Sequence, residues 1–567
     1  MTAQSPASSF DLAWSTAVPD WRERILERRS LIPDLPLCAA YADKALAIFK
    51  RLRVPDLIGT PTFGEVCEQW VFDFVAAVFG AYDPAIRRRM IREYFLLVPK
   101  KNSKSTLAAG IMVTAMILNI RPLAEAALIA PTQEVAAISF GQARGIIKAD
   151  PDLDSLFHIK DHEKTIVHRL TLARLKIISA DGDVVTGGKW AYVLIDETHV
   201  LAAKHKAAGI FLELRGGLAS RPEGFLLQIT TQSKTPPAGQ FRKELQRARD
   251  VRDGRVQRPY LAVLYELPQD MQQAGAWKDI ATWALVNPNM DRSVSLEYLE
   301  DQWLTAQQSG PEDMILFASQ HLNVQIGLGL QTDLWTGAHH WARNGERMTL
   351  EQFLSRCEVV VIGGDVGGAD DLFSLALMGR EKETRRKLAW GKTWCHRSVL
   401  TTRKEIAPLL EDFAADGDLV ITETTEEQAI EAADLCEMVR DAGLLPAERA
   451  IGLDPYGAAA LSDELALRGL EVNREVIGVG QGYRLSGAIK GMERLLLDGN
   501  LIHADQPILN WAVTNARAEE RGNNILITKA VAGSGKIDPL IALINASVLM
   551  DMNPTVKTRS FWDVPAA

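Results

Sequence analysis

Residues 94–118 place a turn rich in Lys, Ser and Thr between two apolar runs, a pattern that can bind phosphate. Tyr94-Phe95-Leu96-Leu97 leads into Val98-Pro99-Lys100-Lys101-Asn102-Ser103-Lys104-Ser105-Thr106, and a helix-like segment from Leu107 to Leu118 follows. Strand, polar turn and helix form the layout of a phosphate-binding loop. Successive backbone N–H groups and the positive helix end face the anion. In an ATP site built this way, Lys104 reaches the β- and γ-phosphates, and Ser105 coordinates Mg²⁺. Both glycines of the usual GxxxxGK[ST] pattern are missing: Val98 stands at the first and Ser103 at the second.

A second segment fits the same chemistry. Trp190-Ala191-Tyr192-Val193-Leu194-Ile195 is an apolar run ending in Asp196-Glu197. It reads as a buried parallel strand with acids at its carboxyl end, where open α/β sheets bind ligands. Asp196 then holds the Mg²⁺ through water, and Glu197 polarises the attacking water. Taken alone, Asp-Glu after a strand is more often a solvated turn.

A further set of acids lies towards the carboxyl end. Asp365 closes the apolar run Val359-Val360-Val361-Ile362, Asp454 closes Ala450-Ile451-Gly452-Leu453, and Asp538 opens the apolar segment Leu540 to Met550. Brought together, the three make an oxygen-rich pocket for two Mg²⁺ or Mn²⁺ ions about 4 Å apart, clamping a phosphodiester displacement. Asp454 and Asp538 both precede proline, and Asp-Pro is also a plain helix start with no chemistry.

These residues need a scaffold, and the chain has room for one. Its 567 residues imply about three domains, and 47% apolar residues suffice for sizeable cores. Strand-like runs at 94–98, 126–131, 174–179, 191–195 and 225–230 alternate with helical segments, which predicts a mostly parallel sheet covered by helices. A second alternating α/β block opens near Val359. The expected division is an N-terminal helical segment (1–60), an ATPase core (61–240), a connecting subdomain with helices (241–345), a nuclease block (346–555) and a tail (556–567).

No apolar run approaches the roughly 18 residues of a membrane span, and the N-terminus lacks a signal-peptide pattern. The five scattered cysteines suggest a reducing compartment. A net charge of −9 does not point to a protein coated in nucleic acid. The local run Arg242, Lys243, Arg247, Arg249, Arg252, Arg255 and Arg258 reads either as a track for a phosphate backbone or, with Glu244, Asp250 and Asp253 interleaved, as a solvated helix face.

In order and type, these motifs resemble the large terminase subunit of tailed double-stranded-DNA bacteriophages, over roughly residues 60 to 550. Pro99 to Ser105 is similar to that family's phosphate loop except at Ser103, and Phe63-Gly64-Glu65 through Gln69-Trp70 to its adenine-recognition segment. Ile229-Thr230-Thr231-Gln232-Ser233 resembles its coupling motif. Gly364-Asp365 with Asp371-Leu372, Gly452 to Tyr456, and Lys536 to Pro539 resemble its nuclease motifs.

The resemblance implies a P-loop ATPase domain followed by an RNase H-like α/β nuclease domain. Gln69 would read the adenine edge, although as an exposed helical Gln it needs no such role. Lys100, Lys101, Asn102, Ser103, Lys104, Ser105 and Thr106 would bind ATP. Ser105 and Asp196 would hold its Mg²⁺, Glu197 would orient water, and Thr230, Thr231 and Gln232 would sense the γ-phosphate. Asp365, Asp454 and Asp538 would carry Mg²⁺ or Mn²⁺ for DNA cutting, with Asn515 and Lys529 in support. Arg144, Arg215 and Arg221 are candidates for an arginine finger.

The implied partners are double-stranded DNA, a small terminase subunit and the portal of the procapsid, engaged as a homo-oligomeric ring of five in the cytoplasm of the bacterial host. The mature virion would lack the protein, and no membrane is involved. A P-loop helicase or remodelling ATPase without nuclease activity is the alternative. It leaves Asp365, Asp454 and Asp538 without a shared task.

Overall fold

The computed structural model describes residues 14–179, 188–204, 207–326, 335–367, 370–521, 524–529 and 535–556. The chain divides into two compact units at residues 326 and 327.

The first unit is built on eight strands: β1 (Glu93–Leu97), β2 (Glu125–Ala130), β3 (Phe157–Lys160), β4 (Thr165–His168), β5 (Arg174–Ser179), β6 (Trp190–Asp196), β7 (Phe225–Thr230) and β8 (Tyr260–Leu264). Their order in the sheet is β8-β1-β7-β6-β2-β5-β4-β3. From β8 to β5 every pairing is parallel, and β4 and β3 finish the edge antiparallel. The continuous apolar runs fall on these strands because a sheet buried on both faces leaves no polar side to alternate with. Helices α1 (Gln69–Gly80), α2 (Lys104–Leu118) and α3 (Gln133–Lys148) share one core with the sheet, whereas α4 (Gly239–Arg252) packs in a separate core on it.

Strand β8 lies in the segment expected to be a connecting region, yet it pairs with β1 along its whole length. Helices α5 (Leu296–Ser309) and α6 (Pro311–Leu322) follow and pack on each other. In the expected N-terminal helical segment, Trp21–Leu26 and Ala39–Arg51 are helices. Residues 1–13 lie outside the described residues, as does the expected tail from 557 onward.

The second unit has three long antiparallel strands, β9 (Cys357–Val366), β10 (Leu372–Glu381) and β11 (Lys387–His396). Short strands β12 (Leu419–Thr422), β13 (Ile451–Leu453), β14 (Val476–Gly478) and β15 (Leu501–His503) extend them in parallel. The order β11-β10-β9-β13-β14 is that of an RNase H-like sheet, with β12 added outside β11. Helix α7 (Asp538–Met550) lies on β9 and β10. Gly363 makes this possible: a Cβ there would stand 2.1 Å from Ala542 O and 2.2 Å from Ala546 N. Strands β16 (Ala516–Arg521) and β17 (Asn524–Lys529) form a separate hairpin.

Candidate functional site

In the first unit, strand ends deliver the candidate residues to one edge. Leu97 of β1 pairs with Thr230 of β7, and Ile229 pairs with Asp196 of β6. Because β7 lies between β1 and β6, its end separates the phosphate loop from the acid pair. Val98 N donates to Thr230 O at 3.1 Å.

The loop turns sharply through two left-handed residues, Lys101 (φ 69°) and Ser103 (φ 58°). Ser103 thus adopts the conformation that the missing glycine would supply, at a cost of about 1 kcal/mol for a side chain there. Asn102 is fully buried and staples the turn from within. Its Nδ2 donates to Pro99 O and Lys100 O, both at 3.3 Å, and to Asn287 Oδ1 at 2.8 Å. From outside, Asn289 donates twice to Asn102, and Ser293 Oγ donates to Lys101 O at 2.6 Å. Lys100 N donates to Gln320 O at 2.9 Å. None of Asn287, Asn289, Ser293 or Gln320 belongs to a motif, so no pattern of residue types pointed to them.

Lys104 is 7% exposed, and its ammonium donates to Pro99 O at 3.3 Å. Burial pushes its pKa below the ordinary value, although Glu197 and Asp196 pull the other way. Among the described residues this buried cation is held by one carbonyl, an incomplete site that bound phosphate oxygens would complete.

Ser105 Oγ donates to Asp196 Oδ2 at 2.7 Å, and Ser139 Oγ of α3 donates to the same oxygen at 2.8 Å. Among the described residues, Asp196 Oδ1 is buried without a hydrogen bond. Burial and the neighbouring Glu197 raise the Asp196 pKa. A hydroxyl, a carboxylate and an unbonded buried oxygen make a hard donor set that fits Mg²⁺. Ser139 is an addition from the structure.

Glu197 takes a left-handed backbone (φ 51°) just after β6. Burial pushes its carboxyl up, but His199, Lys104 and Lys100 outweigh this and hold it below the ordinary value. It stays ionised, as an acceptor of a water proton must. Thr230, Thr231 and Gln232 are all fully buried. Gln232 N donates to Asn323 Oδ1 at 3.1 Å, and Gln320 Nε2 donates to Gln232 O at 2.9 Å.

Gln69 precedes Trp70, whose Nε1 donates to Asn289 Oδ1 at 2.8 Å. Gln69 Nε2 donates to Asp73 Oδ1 at 2.7 Å, and the residue lines a cavity with Arg28, Trp70 and Tyr265. The cavity bordered by Ser103 and Thr106 is lined instead by Phe63, Val66, Cys67 and Arg292. Of the arginine-finger candidates, Arg215 is taken up by Glu93 at 3.0 Å and Glu244 at 2.7 Å. Glu93 opens β1, at the opposite end of the sheet from the loop, and Arg221 likewise precedes β7. Arg144 pairs with Asp161 at 3.3 Å.

The basic run of α4 is partly internal. Arg249 and Arg252 clasp the buried Glu266, Arg247 pairs with Glu244, and Arg255 pairs with Asp250 and Asp253. Arg242, Lys243, Arg247 and Arg258 still line one open cavity.

In the second unit, Asp365, Asp454 and Asp538 line a single cavity, and Asp371 lines it with them. Asp365 comes from the end of β9, Asp454 follows β13 beside it, and Asp538 heads α7. Asp454 Oδ1 accepts from Tyr456 N at 2.9 Å, which orients the carboxylate. Asn545 Nδ2 donates to Gly364 O at 2.9 Å, fixing α7 to β9 next to Asp365. The buried Lys536 is ion-paired to Asp371. Among the described residues, no three acids, histidines or cysteines already stand close enough to cage an ion. The four carboxylates on this lining nonetheless offer the hard oxygen chemistry that Mg²⁺ or Mn²⁺ takes. Asn515 Nδ2 donates to Lys536 O at 3.0 Å, and the Lys529 side chain lies outside the described residues.

Comparison with known proteins adds a family. The model of the ATPase domain of the terminase large subunit matches residues 70–249, and that of its endonuclease domain matches residues 259–553. The large terminase subunit of Enterobacteria phage HK97 is 22% identical over 488 residues, 83% of this chain and 88% of that protein. The crystal structure of the HK97 bacteriophage large terminase is similar at 20% identity, over 89% of this chain and 99% of that one, with a TM-score of 0.44. The structure of a large terminase from a thermophilic bacteriophage is similar at 11% identity, over 82% and 95%, with a TM-score of 0.29. The two family models carry the assignment.

Proposed function

The chain belongs to the large terminase subunits, the ATP-driven motors and DNA-cutting enzymes of phage genome packaging, and from that premise we propose how its residues divide the two tasks. Membership brings with it nucleotide and divalent-metal use and work on DNA.

For the motor, Lys104 and the N–H groups of residues 101–106 bind the triphosphate beside the Lys100 side chain, and Ser105 and Asp196 hold Mg²⁺. Magnesium, when bound, neutralises the phosphate charge. Glu197 accepts the proton of the water attacking in line at the γ-phosphorus. Thr230, Thr231 and Gln232 answer to the γ-phosphate and pass its loss to the parts that grip DNA. The observation that carries this reading is the meeting of Ser105 and Asp196, with Asp196 Oδ1 left unbonded among the described residues.

For the nuclease, Asp365, Asp454 and Asp538 hold divalent metal, with Mg²⁺ and Mn²⁺ both chemically suited. Bound metal activates water and stabilises the leaving 3′-oxygen. Cutting addresses the DNA backbone, so site choice falls to a small terminase partner. The ring of five on the portal, in the host cytoplasm, follows from the same reading. Among the described residues no helix is long and apolar enough to cross a membrane.

The test separates the two sites. Lys104→Ala should abolish ATP hydrolysis and spare Mn²⁺-dependent plasmid cutting, and Asp365→Ala should do the reverse. Retained cutting by Asp365→Ala would refute the metal site, and loss of both activities in either variant would refute the division of labour.

A further inference from the structure

His199 has no part in the reading above, yet it touches both the water-activating acid and the coupling strand. It sits in the short helix Thr198–Leu201, 8% exposed. Its backbone N donates to Thr230 Oγ1 at 3.0 Å, and its ring Nδ1 lies 3.1 Å from the same oxygen. Thr230 Oγ1 gives its own hydrogen to Thr231 O at 2.9 Å. A hydroxyl that has donated its only hydrogen can only accept, so the imidazole carries its proton on Nδ1. That Nδ1 is also 3.3 Å from Glu197 Oε2, a buried oxygen without a hydrogen bond among the described residues. One N–H therefore stands between two acceptors, bonded to Thr230 and within reach of Glu197. Phe241 of α4 packs edge-on against the ring at 6.1 Å.

We infer that His199 is a positioning residue that couples Glu197 to the end of β7 through this shared N–H. While Thr230 holds the N–H, Glu197 Oε2 is open to a proton from water. If Thr230 withdraws, the same N–H turns to Glu197 and occupies it. Hydrogen bonds weaken steeply with angle, so a small shift of the strand end is enough to change the partner. That end has polar groups available for a second arrangement: among the described residues, Thr231 Oγ1 and Gln232 Nε2 are buried without hydrogen bonds. The inference rests on Glu197 as the acceptor of the water proton.

The test is steady-state ATP hydrolysis by the full chain, with nucleotide binding measured in parallel. Thr230→Val releases the N–H onto Glu197 and should lower kcat about 10-fold or more with KM for ATP within about 2-fold. Thr230→Ser keeps the acceptor and should retain kcat. In the double variant His199→Ala/Thr230→Val the N–H is gone, so kcat should rise above that of Thr230→Val alone, towards that of His199→Ala. A double variant as slow as Thr230→Val, or a normal kcat in Thr230→Val, would overturn the coupling. If His199→Ala fails to fold, His199→Phe, which keeps a ring without the N–H, takes its place in the same cycle. Undiminished hydrolysis by Glu197→Gln would instead refute the role given to Glu197.

Discussion

Asn102 and Asn289 are bonded twice across the phosphate loop: Asn289 N donates to Asn102 Oδ1 and Asn289 Nδ2 donates to Asn102 O, each at 3.1 Å. Trp70 Nε1 closes the chain of contacts on Asn289 Oδ1 at 2.8 Å. The loop is therefore held in shape before a nucleotide arrives, which reduces the ordering cost of binding.

Asn289→Ala removes two buried side-chain hydrogen bonds and leaves Trp70 Nε1 without its partner. The expected cost is about 2–3 kcal/mol of stability, with KM for ATP raised about 10-fold as the loop loosens. Thermal unfolding and ATP kinetics check both, and an unchanged KM would show that Asn289 supports the fold alone.

Ser103→Gly should be stabilising. The left-handed φ of 58° favours glycine, although the more flexible unfolded chain offsets part of the gain. A net gain of about 0.5 kcal/mol is expected, and Ser103→Val should lose about 2 kcal/mol. The order Gly, Ser, Val in unfolding midpoint is the measurement, and Val matching Ser would contradict the strain.

How much was legible in the sequence follows from where each partner lies. Strands β1, β2, β5, β6 and β7 fall within one residue of the strand-like runs. Of these, β1, β2, β6 and β7 do so because a strand buried on both faces has to be nearly continuously apolar, whereas β5 alternates Leu175 and Ile177 with Arg174 and Lys176. The Lys-Ser turn and the Asp-Glu pair are local patterns, and the fold brings Ser105 onto Asp196. Asn287 and Asn289 escaped notice because Asn-Pro-Asn reads as an ordinary turn, and their partner Asn102 is distant in sequence. Strand β8 is a short apolar run amid Arg and Gln, so the surrounding composition hid it. The α4 run looked like a solvated face or a DNA track because Glu266, which takes two of its arginines, lies beyond the helix.

Glu266 gives the protein an acid-sensitive joint. Burial pushes its carboxyl up, but Arg249 and Arg252 more than compensate, leaving the folded-state pKa below the ordinary value. A depressed carboxyl pKa contributes stability that is present above the unfolded value near ~4.3 and lost as pH falls through the folded value. Glu266→Gln strands two arginines against a neutral group and should cost about 3–5 kcal/mol at neutral pH. The gap between the variant and the wild type should narrow below about pH 4. Unfolding midpoints across that range decide it, and a constant gap would mean that the pair contributes no pH dependence.

Gly363→Ala tests whether close approach of α7 to β9 builds the nuclease cavity. The added methyl would meet Ala542 O and Ala546 N, both backbone atoms that cannot rotate aside. Helix α7 must then move off the strand, carrying Asp538 away from Asp365 and breaking the bond between Asn545 and Gly364 O. Overpacking of this kind costs about 1–3 kcal/mol, occasionally more, which the second unit should survive. DNA cutting should fall about 100-fold, because metal ligands tolerate little displacement, while ATP hydrolysis stays at the wild-type rate. The paired assay is informative in both directions. Wild-type cutting would mean that Asp538 need not approach Asp365 at this spacing. Loss of ATP hydrolysis as well would mean that the substitution acts on folding of the whole chain and not on the cavity.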